Sequence, residues 1–81
     1  MPTVFRWNGY SFFFFSNEGE PLEACHIHVR KGETLAKIWL EPEVKLAANY
    51  GMASGEVKKL TEVAEEHCED MRRAWNEYFE L

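Results

Sequence analysis

The chain has 81 residues, 46% of them hydrophobic and 15% aromatic, with a net charge of −5. That length predicts one domain over 1–81 and limits how much surface folding can bury, so the core must be dense. Two cysteines, Cys25 and Cys68, are too few for the disulfide scaffold of a small secreted domain. With no basic-then-apolar leader pattern, and with its longest apolar run, Phe12 to Phe15, far short of the ~18 residues a membrane span needs, the expected location is cytoplasmic. Six Phe, three Trp and three Tyr exceed what so small a core requires, which predicts that some rings finish at a subunit or partner interface.

Charge is uneven along the chain. Residues 1–55 carry five basic and six acidic side chains, whereas residues 56–81 carry four basic and eight acidic ones. The acidic second part repels a phosphate backbone, so RNA is disfavoured by net charge and admitted only on the other side of the fold.

The first predicted element is a strand at Thr3-Val-Phe-Arg-Trp7, rich in β-branched and aromatic residues. Asn8-Gly9 follows directly and predicts a two-residue type I′ hairpin turn. The next strand, Tyr10 to Ser16, points Phe12 and Phe14 to one face and Phe13 and Phe15 to the other. One of these two pairs is expected to form an interface. Asn17 to Leu22, broken by Gly19 and Pro21, reads as a loop. Ala24 to Arg30 and Thr34 to Leu40 read as strands flanking a Lys31-Gly32-Glu33 turn, with Pro42 as the stop. Val44 to Tyr50 alternates like an edge strand, although its alanines suit a short helix equally.

From residue 54 the spacing changes. Val57, Leu60, Ala64, Cys68, Met71, Trp75 and Tyr78 recur three and four apart, a single stripe predicting one long helix over ~54–80. Ser54 is the expected N-cap, and Glu56 suits the first turn. Glu69 is placed to pair with Arg72 and Arg73. The predicted fold is therefore α+β, an antiparallel sheet of four to five strands over residues ~3–50, covered on one face by a single C-terminal helix.

One segment has chemical potential: Cys25-His-Ile-His-Val-Arg-Lys31. On a strand, His26, His28 and Arg30 share one face and Ile27 and Val29 the other. If Ile27 and Val29 lie under the helix, the histidines project away from it. Their Cα atoms are then roughly 6.5–7 Å apart, close enough to converge on one group. Three functions fit such a pair. His26 and His28 can act as an acid and a base in metal-independent phosphodiester cleavage, with Arg30 contacting the phosphate. They can supply two ligands of a divalent metal such as zinc, though two ligands make no site and Cys25 faces the other way. Or the face can be a polar docking surface. No cofactor is expected, and no Gly-rich phosphate loop or CxxC pair is present.

Met1-Pro-Thr-Val-Phe-Arg, Gly9-Tyr-Ser-Phe-Phe-Phe-Phe-Ser-Asn-Glu-Gly, His26-Ile-His-Val-Arg-Lys-Gly, Ala36-Lys-Ile-Trp-Leu-Glu-Pro and Ala74-Trp-Asn-Glu-Tyr-Phe, in that order, resemble the bacterial domain-of-unknown-function family 4160. The resemblance spans nearly the whole chain. It implies no established activity. It does imply a partner, a small protein of the domain-of-unknown-function 2442 type encoded by a neighbouring gene, in an arrangement like a toxin–antitoxin pair. A homo-oligomer is the other expected assembly, and a membrane is not. Relatives read Pro-Pro-His where this chain has Ala24-Cys25-His26, so the strand entry here lacks the rigidity that proline imposes. Relatives also place Ser at the Ala53 position, consistent with a cap shifted to Ser54 in this chain.

Overall fold

Asn8 and Gly9 both take positive φ, 49° and 83°, and close a tight hairpin between β1 (Thr3–Trp7) and β2 (Tyr10–Phe13). The structure, a computed structural model, describes residues 3–15 and 23–79. Beyond the hairpin come β3 (His26–Lys31), β4 (Thr34–Trp39) and β5 (Lys45–Tyr50). The five strands form one antiparallel sheet in the order β1-β2-β3-β4-β5, each paired with its sequence neighbours. The ambiguous segment after Pro42 is thus an edge strand. Gly51, at φ 94°, lets the chain leave that strand, and a Cβ there would meet Thr34 at 3.2 Å. The segment predicted as a loop at 17–22 lies outside the described residues.

Alternation along the strands sorts the sheet into two faces. Phe12 pairs with Val29, which pairs with Ala36, and Ile27 pairs with Ile38. These residues, with Tyr10, Phe14, Cys25 and Leu40, form a buried core against Val57, Leu60, Val63, Ala64, Met71 and Trp75. Each large aliphatic or phenyl side chain so buried contributes about 1.5–3 kcal/mol. Of the twelve aromatic residues only Tyr50 and Tyr78 are exposed. The aromatic load is mostly consumed inside the fold.

The C-terminal region is two helices rather than one. α1 (Ser54–Glu66) and α2 (Cys68–Tyr78) meet at His67, whose φ −112° and ψ 14° leave helical geometry. Hydrogen bonding nonetheless runs through the kink: the His67 N–H donates to Val63 O at 3.2 Å, and the Met71 N–H to His67 O at 3.0 Å. The His67 ring rests on Phe5, with centroids 4.4 Å apart. Because only one residue departs from the helix, the apolar stripe keeps its phase, and its spacing carries no mark of the break. Within that stripe Cys68 is half-buried and Tyr78 is exposed.

Beyond the kink, α2 is fixed by Arg72. Its guanidinium donates through Nε (3.2 Å) and Nη2 (2.9 Å) to Leu40 O, just past the end of β4. Arg72 also approaches Glu41 at 4.0 Å, while Arg73 pairs with Asp70 at 3.2 Å. These partners replace the expected Glu69 pairings: Arg72 turns inward to a carbonyl just past β4, and Arg73 pairs with Asp70 on its own helix.

The N-cap of α1 is Ala53, not Ser54. Alanine offers no side-chain acceptor, and Glu56 compensates by taking the Ala53 N–H at Oε1, 3.1 Å away. Its other oxygen accepts a hydrogen bond from the Tyr10 hydroxyl, so one carboxylate ties the helix start to β2. That bond lowers the Glu56 pKa, as does the Ala53 N–H, and it raises the Tyr10 pKa together with burial. A carboxylate depressed in the folded state stabilises the fold above the ordinary carboxylate range and loses that contribution as pH falls through its lowered value. Tyr10→Phe should therefore lower the melting temperature at neutral pH, with the difference from wild type shrinking as the pH drops below ~4. Thermal melts across pH 2–7 measure this, and a pH-independent difference would contradict it.

Candidate functional site

The face of the sheet turned away from α1 is organised in rows across the strands. Arg6, Ser11, Arg30, Leu35 and Tyr50 form one row, Phe13, His28, Lys37 and Ala48 the next, and His26, Trp39 and Lys45 the third. Period-two alternation gives these rows on β1 to β4, each strand burying one set of side chains and turning the other to this face, and the extra residue at Ala47 brings Lys45 to the same face as Ala48 and Tyr50. His26, His28 and Arg30 thus share a face, as their spacing requires.

Both histidines are buried, contrary to the expectation that they project outward. His26 is 0% exposed and His28 6%. The cause for His26 is α2, which runs past the end of the sheet where β3 begins. There Trp75 meets both Phe14 of the core, 5.2 Å between centroids, and the His26 ring, 5.0 Å. Trp39 packs edge-on to His26 at 5.5 Å. His28 is flanked by Phe15 at 4.4 Å and Phe13 at 5.7 Å. The two imidazoles lie 5.1 Å apart, nearly perpendicular. His26 Nδ1 lies 2.8 Å from Ala24 O; since a carbonyl only accepts, that nitrogen carries a proton.

Arg30 stands apart from this pair. Its guanidinium lies over the Phe13 ring at 5.0 Å, and that ring stacks on His28. Arg30, Phe13, His28 and His26 therefore make a stacked ladder rather than three groups converging on open space. Among the described residues, no group of three or more His, Cys, Asp or Glu is placed to hold a metal ion.

Of the phenylalanine pairs expected at an interface, Phe12 and Phe14 are core residues. Phe13 is buried beneath Arg30 and beside His28, and Phe15 is half-buried. What stays exposed on β5 was not singled out from sequence. Tyr50, on the open face, is 63% exposed, and Leu46, opposite Ile38 on the helix side of the strand, is 36% exposed. Lys37 lies over the Trp39 ring at 4.6 Å and pairs with Glu23 at 3.1 Å. Beside Trp39 an open depression of about 330 Å³ is lined by Ala24, Glu41, Pro42, Glu43 and Lys45; the histidines do not line it. The signal for this set was present in β4, where Lys37 and Trp39 alternate with buried Ala36 and Ile38.

The core-facing Cys25 is chemically quiet. Burial pushes its thiol up to about 12, with the Glu41 charge adding and Arg72 opposing. Cys68 is the more accessible of the two.

The described chain is thus an α+β meander of five strands with a kinked helix pair and a His-x-His strand at its centre. Residues 9–76 match the model described as Domain of unknown function (DUF4160), and the chain belongs to that family. No curated protein and no solved structure matches the chain. No helix among the described residues is long and apolar enough to cross a membrane.

The thiol environments are open to a direct check. A thiol reagent at pH 8 should titrate Cys68 promptly in the native protein and Cys25 only on unfolding. Cys68→Ser should abolish the fast phase, and a fast phase surviving that change would show Cys25 to be reachable.

Proposed function

We propose that this chain is the protein-binding member of a two-gene, toxin–antitoxin-like pair, and that it docks a small partner of the domain-of-unknown-function 2442 type along the β5 edge. The observation that carries the proposal is the character of that edge. Among the described residues β5 pairs only with β4, so its outer backbone groups face away from the sheet. Its one charge, Lys45, sits at its first residue. Proteins usually blunt such an edge with internal charges, proline or a bulge; β5 has no charge beyond its first residue and no proline, and its one such device is a bulge. It has an extra residue at Ala47, where the ladder with β4 shifts register, and it presents Leu46 and Tyr50. A partner strand added here would gain main-chain hydrogen bonds and two apolar anchors. The opposite edge, β1, by comparison carries Arg6 within the strand.

Metal-independent ribonuclease activity by His26 and His28, with Arg30 on the phosphate, is the alternative. The adjacency of the two rings favours it. Their burial weighs against it, because a general acid or base must come within hydrogen-bond reach of its substrate. RNA cleavage unchanged in both His26→Ala and His28→Ala would end this alternative.

Co-expression with the neighbouring gene product decides the main proposal. The two proteins should co-elute at micromolar concentration. Leu46→Lys and Tyr50→Glu should each weaken binding about tenfold or more, the scale of a central apolar anchor. Separate elution of the wild-type proteins would defeat the proposal.

A further inference from the structure

Net charge conceals a division of charge between the two sides of the fold. Arg6, Arg30, Lys37 and Lys45 all belong to the rows of the open sheet face, and three of them, Arg6, Arg30 and Lys45, are exposed. Glu23 pairs with Lys37, and Glu41 and Glu43 line the depression beside Trp39 and Lys45 at one end of this set. The acidic side chains from Glu56 to Glu77 are carried by α1 and α2.

The cations are also interleaved with flat rings. Trp39 lies between Lys37 and Lys45, stacked against the first and paired across strands with the second. Tyr50 ends the row that begins with Arg6 and Arg30. Five strands give this face a width of about 19 Å from the usual strand spacing.

We infer that the open face of the sheet binds single-stranded RNA. Phosphates would lie against Arg6, Arg30, Lys37 and Lys45, with bases stacked on Tyr50 and at the rim of Trp39. A broad sheet face cannot enter the deep, narrow major groove of a duplex RNA, whereas a single strand presents phosphates and base faces together. An acidic polypeptide would satisfy the cations but has no general use for the rings. The hydroxyls of Tyr50 and Ser11 in the same row supply partners for a ribose 2′-hydroxyl. This reading does not depend on the partner-protein contact proposed at the β5 edge, although the two share Tyr50.

The test is fluorescence anisotropy of a dye-labelled single-stranded RNA of about 12 nucleotides, a length within the usual range for such platforms, titrated with the full chain at low salt. Binding is expected, falling steeply with added salt. Arg30→Glu, Lys37→Glu and Lys45→Glu should each weaken it and flatten the salt dependence, by about 0.7 in log–log slope for each phosphate no longer neutralised. Tyr50→Ala should weaken it about five-fold or more without changing that slope. Circular dichroism melts select the variants that remain folded, and the exposed Lys45 and Tyr50 changes serve if the others do not. DNA of the same sequence should bind more weakly. No anisotropy change, equal affinity in the folded charge-reversed variants, or DNA binding at least as tight as RNA would overturn the inference. So would competition by polyglutamate as effective as that by unlabelled RNA, which would assign the face to an acidic polypeptide.

Discussion

The placement of Trp75 governs the rest of the molecule. Its indole touches Phe14 on the core side and His26 at the end of the opposite side, so α2 caps an end of the sheet instead of lying flat beneath it. Arg72 reinforces the same geometry one turn earlier by donating to Leu40 O. A helix held at the end of the sheet buries the start of β3 and leaves the remainder of the far face free of helical cover. The enclosure of His26 and the openness of Tyr50 are two results of one packing choice.

That choice also decides which functions remain attractive. Two imidazoles on one strand invite an acid/base or metal assignment when only their spacing is known. In the folded chain they form part of an aromatic stack running from Arg30 to Trp75, where each ring restricts its neighbours. In the reading proposed above, recognition instead falls to side chains at the periphery of that stack and on β5. Membership of a domain-of-unknown-function family leaves the chemistry to be argued from these surfaces.

Much of the fold was legible in local sequence. The hairpin at Asn8-Gly9 and the alternation in β3 and β4 each correspond to an element of the structure, and the apolar stripe from Val57 to Trp75 marks helix, though two helices rather than the one it predicts. The features that escaped depend on contacts between distant residues. The kink at His67 keeps the stripe in phase, so spacing cannot reveal it. Its ring rests on Phe5, sixty-two positions away. The Glu56 carboxylate that caps Ala53 is also held by Tyr10 in β2. The burial of His26 needed knowledge of where α2 ends up, which no pattern within β3 contains. The basic face was hidden for a related reason: its four cations lie on four different strands and meet only through register.

Separation of charge between the helices and the open sheet face makes the molecule an electric dipole in spite of its net charge of −5. In the field of any polyanion such a body experiences a torque as well as a net repulsion. Far away the repulsion dominates, but within a few Debye lengths the sheet is turned forward and the helices back. The protein thus arrives already oriented, and the sign of its total charge is a poor guide to what it meets with its leading face.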